Sequence, residues 1–173
     1  MQTYLSSQKV LHWISALLIL GLFGLGVWMR TLGYYDSWYQ IAPHWHKQIG
    51  ILLLLIMVTR LVWRIIKGTP SPLPTHKPWE VNLGHAIHTG LYLGIFIIMV
   101  SGYLIATADN RGIEVLNVLT LPVLFTPFEG QEDIAGDIHE WGAYLLMAMV
   151  ALHVLGAIKH HVIDKDTTLK RML

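Results

Sequence analysis

Residues 137–161, DIHEWGAYLLMAMVALHVLGAIKHH, carry two imidazoles inside one apolar run, and their spacing points to a chemistry. His139 and His153 are 14 residues apart. On an α-helix that is almost four turns, about 21 Å of rise, with the side chains about 40° apart in azimuth. In a bundle under-wound to 3.5 residues per turn the two rings share one seam. A glycine follows each at the same offset, Gly142 and Gly156. A buried histidine is often a core residue bonded to a backbone carbonyl, but ionisable groups within hydrocarbon are costly and mark functional positions. Two imidazoles at two depths, each beside a notch, have the layout of a ligand rail for two stacked flat cofactors.

The rest of the chain supplies the elements that would position such a rail. Of its 173 residues 54% are hydrophobic and only 13% charged, about half the charge of a soluble domain. Too little polar surface remains for a water-soluble globule, and a small integral membrane protein is implied. With no cysteine there is no disulfide framework, iron–sulfur cluster or c-type haem attachment, so a cofactor must be held by histidine or methionine. Four apolar stretches are long enough to cross about 30 Å of hydrocarbon: residues 10–29, 46–66, 82–107 and 138–161. The first is not followed by a small-residue cleavage site and reads as a retained helix. Residues 30–45 read as a loop with an interfacial aromatic cluster, Tyr34, Tyr35, Trp38 and Tyr39. Residues 67–80 hold four prolines and form a second loop. Residues 108–136 form a longer connection, whose apolar piece 113–125 is too short to span and contains Pro122, so it lies at the interface. The expected fold is all-α: one membrane domain over residues 1–173, a four-helix bundle with two haems stacked in its core.

Charge sorting orients the bundle. Lys9, Arg60, Arg64, Lys67, Lys77, Lys159, Lys165, Lys170 and Arg171 fall on one side, against Arg30, Lys47 and Arg111 on the other. The positive-inside rule then places both termini in the cytoplasm. His12 and His153 lie in the cytoplasmic half, His46 and His139 in the outer half. Each pair can clamp one iron from both faces, the bis-imidazole arrangement of an electron-transfer b-type haem. Zinc needs ligands converging on one point, which two separated pairs do not supply. Gly50, Gly142 and Gly156, each near a histidine, would clear room for a flat ring, or serve ordinary helix packing.

Several further residues belong near these pairs. Arg60 repeats the 14-residue spacing after His46. With Arg64 it lies at the inner depth, as a partner for haem propionates or as a positive-inside anchor. His85 and His88 share one face in the cytoplasmic half. His88 is an alternative inner ligand; otherwise the two line a site where quinone is reduced, or bind lipid head groups. His160 and His161 suit the C-terminal dipole of the fourth helix, and His44 and His76 read as loop residues.

At this point a family resemblance emerges. The segments LHW (11–13), HKQIG (46–50), LGHAIH (83–88), NRG (110–112), IHEWGAY (138–144) and LHVLGAIKHH (152–161) resemble the bacterial cytochrome b561 family. These are four-helix dihaem membrane cytochromes related to the b subunits of formate dehydrogenase and nickel–iron hydrogenase. The resemblance covers nearly the whole chain. It implies two b haems per chain, with ligands His12 and His153 on the inner iron and His46 and His139 on the outer. It also implies a location in the bacterial inner membrane and electron exchange between a periplasmic-side donor and a quinone such as ubiquinone. Some members are similar to superoxide oxidases, so a superoxide:quinone oxidoreductase is one expectation; a haem b relay subunit of a periplasmic dehydrogenase or hydrogenase is the other. No nucleic-acid partner is expected. The expected outer segments carry Asp36, Asp109, Glu114, Glu129, Glu132, Asp133, Asp137 and Glu140 against three basic residues, a field that repels a small anion at range.

Overall fold

A computed structural model describes residues 3–116 and 118–173. Four helices dominate it: α1 Ser6–Met29, α2 Ile41–Lys67, α3 Pro78–Ala106 and α4 Gln131–Val162. All four are long and apolar enough to cross a membrane. Their outward faces are apolar and bare, with Leu17 68%, Ile65 74% and Leu145 64% exposed. Contiguous apolar surface on that scale is a surface for lipid.

Each helix begins with a local reason. In α1 the Leu5 backbone N–H donates to Gln8 Oε1 at 3.1 Å, and in α3 Lys77 N–H donates to Glu80 Oε2 at 2.9 Å. Both satisfy a backbone donor that the first turn leaves without a partner. Pro78 occupies the first turn of α3, where its missing N–H costs nothing. The helices also extend beyond the apolar runs seen in the sequence. Residues 41–45 belong to α2, so His44 is helical, with Pro43 tolerated in the first turn. Residues 131–137 belong to α4, which opens with Glu132 and Asp133 in its first turn; acids suit a helix N-terminus although they end the hydrophobic pattern.

The fully buried core is a thin layer at mid-bundle. Leu53 and Met57 of α2, Ile95 of α3 and Leu146 of α4 pack together, with Leu18 and Leu22 of α1 against them. α3 packs most extensively on α4, and α1 on α2.

The connection between α3 and α4 folds into a hairpin that its sequence did not announce. Strands β1 (Ile113–Val115) and β2 (Leu119–Leu121) pair antiparallel, with Glu114 opposite Thr120. Gly112 lies so close that a Cβ there would sit 2.6 Å from the Leu121 carbonyl oxygen; only glycine permits this approach. The buried Gln48 of α2 fastens the hairpin down. Its Nε2 donates to the Glu114 carbonyl at 2.7 Å, and its Oε1 accepts from Leu116 N–H at 3.0 Å. Tyr103 of α3 does the same beyond β2, donating to the Pro122 carbonyl and accepting from Leu124 N–H, each at 2.7 Å.

Both termini gather at the opposite end. A 3₁₀ turn, Leu169–Arg171, lies against the start of α1: Tyr4 N–H donates to the Arg171 carbonyl at 3.3 Å and Trp13 Nε1 to that of Met172 at 2.9 Å. Arg171 also donates to the Ser71 carbonyl at 2.8 Å, tying in the loop between α2 and α3. The bundle therefore has a hairpin end and a tail end.

Candidate cofactor sites

The four helices bring their histidines together at two levels. Toward the hairpin end, the rings of His46 (α2) and His139 (α4) lie 6.0 Å apart between centroids, with an interplanar angle of 69°. Toward the tail end, His12 (α1) and His153 (α4) lie 6.3 Å apart at 68°. The near-equal geometry shows one arrangement built twice, with the buried mid-bundle layer between.

The hairpin level is roomy. A cavity of about 840 Å³ opens there, lined by His46 and His139 and by Gly26, Gly50, Gly102 and Gly136. Two of these glycines meet the rings directly. A Cβ on Gly102 would sit 3.1 Å from His139 Cε1, and one on Gly26 would sit 3.3 Å from His46 Cε1. His139 Nδ1 lies 2.9 Å from the Ile98 carbonyl, so it carries the proton and leaves the Nε2 lone pair free. Ser101 Oγ is 3.2 Å from the same nitrogen. Among the described residues the buried His46 Nδ1 has no hydrogen-bond partner.

The tail level is crowded with polar groups. Arg60 donates to His12 Nδ1 at 2.8 Å and to Ser15 Oγ at 2.8 Å, and Ser15 Oγ donates to the His12 carbonyl at 2.9 Å. The rings of His88 and His153 are 5.1 Å apart. Arg60 and Arg64 both lie over the Tyr92 ring, 5.5 and 5.8 Å from its centroid. Beside them is a cavity of about 20 Å³, enough for one water. His85 is exposed, one turn before His88 on α3.

A repeat in the numbering organises all of this. Gly26 follows His12, Arg60 follows His46, Gly102 follows His88 and His153 follows His139, each by 14 residues. Each helix thus presents one residue to each level. The sequence reading singled out two of these four pairs. Gly26 is legible in the sequence as a point where a neighbouring helix can approach closely, which His46 does, but neither it nor Gly102 is assigned to a level, although the spacing from His12 and His88 is the signal that would do so. Of the glycines named beside the histidines, Gly50 lines the cavity with nothing within 4 Å of a would-be Cβ, and Gly156 likewise faces open space. A Cβ on Gly142 would sit 3.3 Å from Ile98 Cγ1 on α3, so this glycine serves close helix packing.

Two of the three basic residues at the hairpin end are paired. Arg30 forms an ion pair with Glu140, and Arg111 NH2 lies 2.6 Å from Asp109 Oδ2. The Arg111 backbone N–H, with its guanidinium, holds the Asp109 carboxyl below its ordinary range. Among the described residues Lys47 has no ion pair. The cavity lining includes it and Arg30, against Asp109, Glu132, Asp133, Asp137 and Glu140.

At the tail end, His76 and His160, read from the sequence as a loop residue and a helix-end cation, meet each other. Their rings are 4.4 Å apart between centroids, and His76 Nε2 is 2.9 Å from Asp166 Oδ2. Burial acts to raise the Asp166 carboxyl, but hydrogen bonds from Thr168 and His76 outweigh it and hold the group below its ordinary value.

Four apolar helices with paired imidazoles at two levels define a multi-pass membrane protein of the cytochrome b class. Residues 4–173 match the prokaryotic cytochrome b561 family, and the chain belongs to it; members of this family bind b-type haem and transfer electrons in the membrane. It is 47% identical to cytochrome b561 homolog 2 of Escherichia coli K12, over 94% of this chain and 86% of that protein. It is 26% identical to cytochrome b561 homolog 1 of the same strain, over 100% and 98% of the two chains. A protein named "Probable superoxide oxidase CybB" from Yersinia pestis is 28% identical over 98% and 95%.

Proposed function

We propose that the chain relays single electrons through two b haems between a donor at the hairpin end and membrane quinone at the tail end. His46 and His139 would hold one iron; His12 and His153 would hold the other. The observation that carries this reading is the repeated ring spacing of 6.0 and 6.3 Å. Imidazole nitrogens bind a first-row metal at about 2 Å, so two rings facing across one iron hold their centroids roughly 6 Å apart. The 5.1 Å between His88 and His153 is short for that, which favours His12 as the tail-level ligand. The large cavity and its glycines supply the space a flat ring needs at the hairpin level.

Haem, when bound, would supply one-electron storage; the chain supplies geometry, charge and protons. His139 keeps its Nε2 lone pair available because Ile98 fixes the other tautomer. At His12 the tautomer is the opposite one: Nδ1 accepts from Arg60, so neutral His12 carries its proton on Nε2. For Nε2 of His12 to hold a metal its proton would have to move to Nδ1, so the Arg60 contact would be given up and Arg60 would be left to pair with an acidic group of the cofactor. His88 lies beside the tail-level pair and His85 exposed one turn away, so these imidazoles fit proton delivery to a quinone. The termini, on this reading, are cytoplasmic and the membrane is the bacterial inner membrane.

The superoxide reading rests on the name of one relative and meets an acidic cavity mouth. Five carboxylates against Arg30 and Lys47 line it, and with Arg30 paired to Glu140 only Lys47 is left to attract a small anion. A donor protein docking at the hairpin end is better matched to this surface. One experiment separates the readings. Oxidised protein in detergent is mixed with ubiquinol, and separately with an enzymatic superoxide source with and without superoxide dismutase, while the reduced-haem band is followed. Reduction by ubiquinol is the expected result, and its failure with every quinol tried would remove the quinone half of the proposal. Dismutase-sensitive reduction at a rate near diffusion would establish the superoxide reading instead of the docked donor.

A further inference from the structure

At the tail end, away from both histidine levels, three chain segments bring metal-ligating atoms to one point. His76 comes from the loop before α3, His160 from the last turn of α4, and Asp166 from the segment after it. One ligand atom from each lies within 4.8 Å of the others. Their side chains are 14%, 15% and 8% exposed, so the cluster is largely withdrawn from solvent. We infer that His76, His160 and Asp166 form a binding site for one divalent transition-metal ion, of which zinc is the type.

The donor set argues for that class. Two imidazole nitrogens and one carboxylate suit zinc and its first-row neighbours, with a fourth position for water or another carboxylate. Magnesium and calcium require a shell of oxygens, which this site does not provide. His76 Nε2 lies 2.9 Å from Asp166 Oδ2 and 3.1 Å from Thr168 Oγ1, but the third ligand atom, on His160, is poorly satisfied. His160 Nδ1 is 2.8 Å from Asp164 Oδ2 and 3.3 Å from Asp166 Oδ2, yet it is fully shielded and makes a proper hydrogen bond to neither. Asp166 is meanwhile held in place from behind: Thr168 N–H donates to its Oδ1 at 2.7 Å, and Asp166 N–H donates to the His160 carbonyl at 3.0 Å. Such supporting bonds orient a ligating carboxylate. Asp164 and Glu80 are near but are engaged by Lys159 Nζ at 2.7 and 2.5 Å, so they are candidates for the fourth position and not for the core set.

The placement gives the ion a consequence. His76 belongs to the loop that Arg171 already ties to the tail, and Trp13 joins the tail to α1. An ion bridging His76, His160 and Asp166 would lock loop and tail together over the end of the bundle that carries Arg60 and His88. Lys165, exposed and with φ of 53° between two of the acidic residues, would then be held in a closed turn.

The test uses the full-length haem-loaded protein, purified without a polyhistidine tag and stripped with a chelator. Equilibrium dialysis against Zn²⁺ should leave one zinc per chain that excess Mg²⁺ does not displace. His76→Ala and Asp166→Asn should each weaken it by about tenfold or more while the haem spectrum is unchanged. X-ray absorption at the zinc edge of the unsubstituted protein should show two imidazoles, and zinc should slow tryptic cleavage at Lys165. Failure of the unsubstituted protein to retain zinc, or a zinc site lacking imidazole, would overturn the proposal. So would retention unchanged by both substitutions.

Discussion

Toward the hairpin end, the α1–α2 pair sets Gly26 against His46 and the α3–α4 pair sets Gly102 against His139. Toward the tail end the same helices set Arg60 against His12 and His88 against His153. Two levels with nearly the same ring geometry thus have opposite surroundings. One is opened by residues without side chains; the other is filled by residues that carry charge and protons. The 14-residue repeat explains the shared geometry, because it returns each helix to the same seam after four turns. The choice of residue at each repeat explains the difference. On the proposed reading, space would serve a cofactor that only passes electrons at the first level, and proton and charge chemistry would serve one beside a proton-coupled acceptor at the second.

The sharpest way to break this comparison is to remove one ligand at a time. His139→Ala and His46→Ala should each lose one haem, and His153→Ala and His12→Ala the other, since each iron needs both axial partners to stay low-spin. Redox titrations of the four variants, normalised to folded protein, should sort them into these two classes. If His12 and His46 variants lose the same haem, the two-level map is wrong. Next in size are the glycines. Gly102→Leu and Gly26→Leu place atoms against His139 and His46 and fill the cavity, so haem content should fall toward half, in the same class as His139→Ala. Gly24→Ala, outside the cavity lining and with nothing within 4 Å of the new methyl, should leave it unchanged.

The tail level is sharpened by smaller effects. His88→Ala should slow haem reduction by quinol about a hundredfold, the usual scale for a lost general acid–base group, with both haems retained; loss of a haem would make His88 a ligand. Arg60→Gln should lower one midpoint potential and spare the other. A cation near the iron disfavours the ferric state, and a tenfold change in that preference is about 59 mV for one electron. An equal shift in both potentials would mean that Arg60 acts on the whole bundle and not on one level.

Much of this plan was legible in the sequence. Long charge-poor runs revealed the four helices, and histidines within them stood out because hydrocarbon makes them expensive. Gly26 and Gly102 were not legible in the same way, since a glycine matters only through what stands opposite, and that is a property of packing. The hairpin was hidden because its strands are three residues long and are held by Gln48 and Tyr103, residues with no distinctive pattern. The early start of α4 was masked by Glu132 and Asp133, which interrupt an apolar run but favour a helix N-terminus. The His76–His160–Asp166 cluster joins residues 84 and 6 positions apart, a pairing only the folded tail creates.

The central claim is that the two levels hold one b haem each, and the haem-to-protein ratio of the purified chain tests it most directly. Pyridine haemochrome analysis against quantitative amino-acid analysis should give two b haems per chain, with a six-coordinate low-spin spectrum in both oxidation states. One haem or none per chain, or a high-spin ferric spectrum in intact protein, would contradict the account.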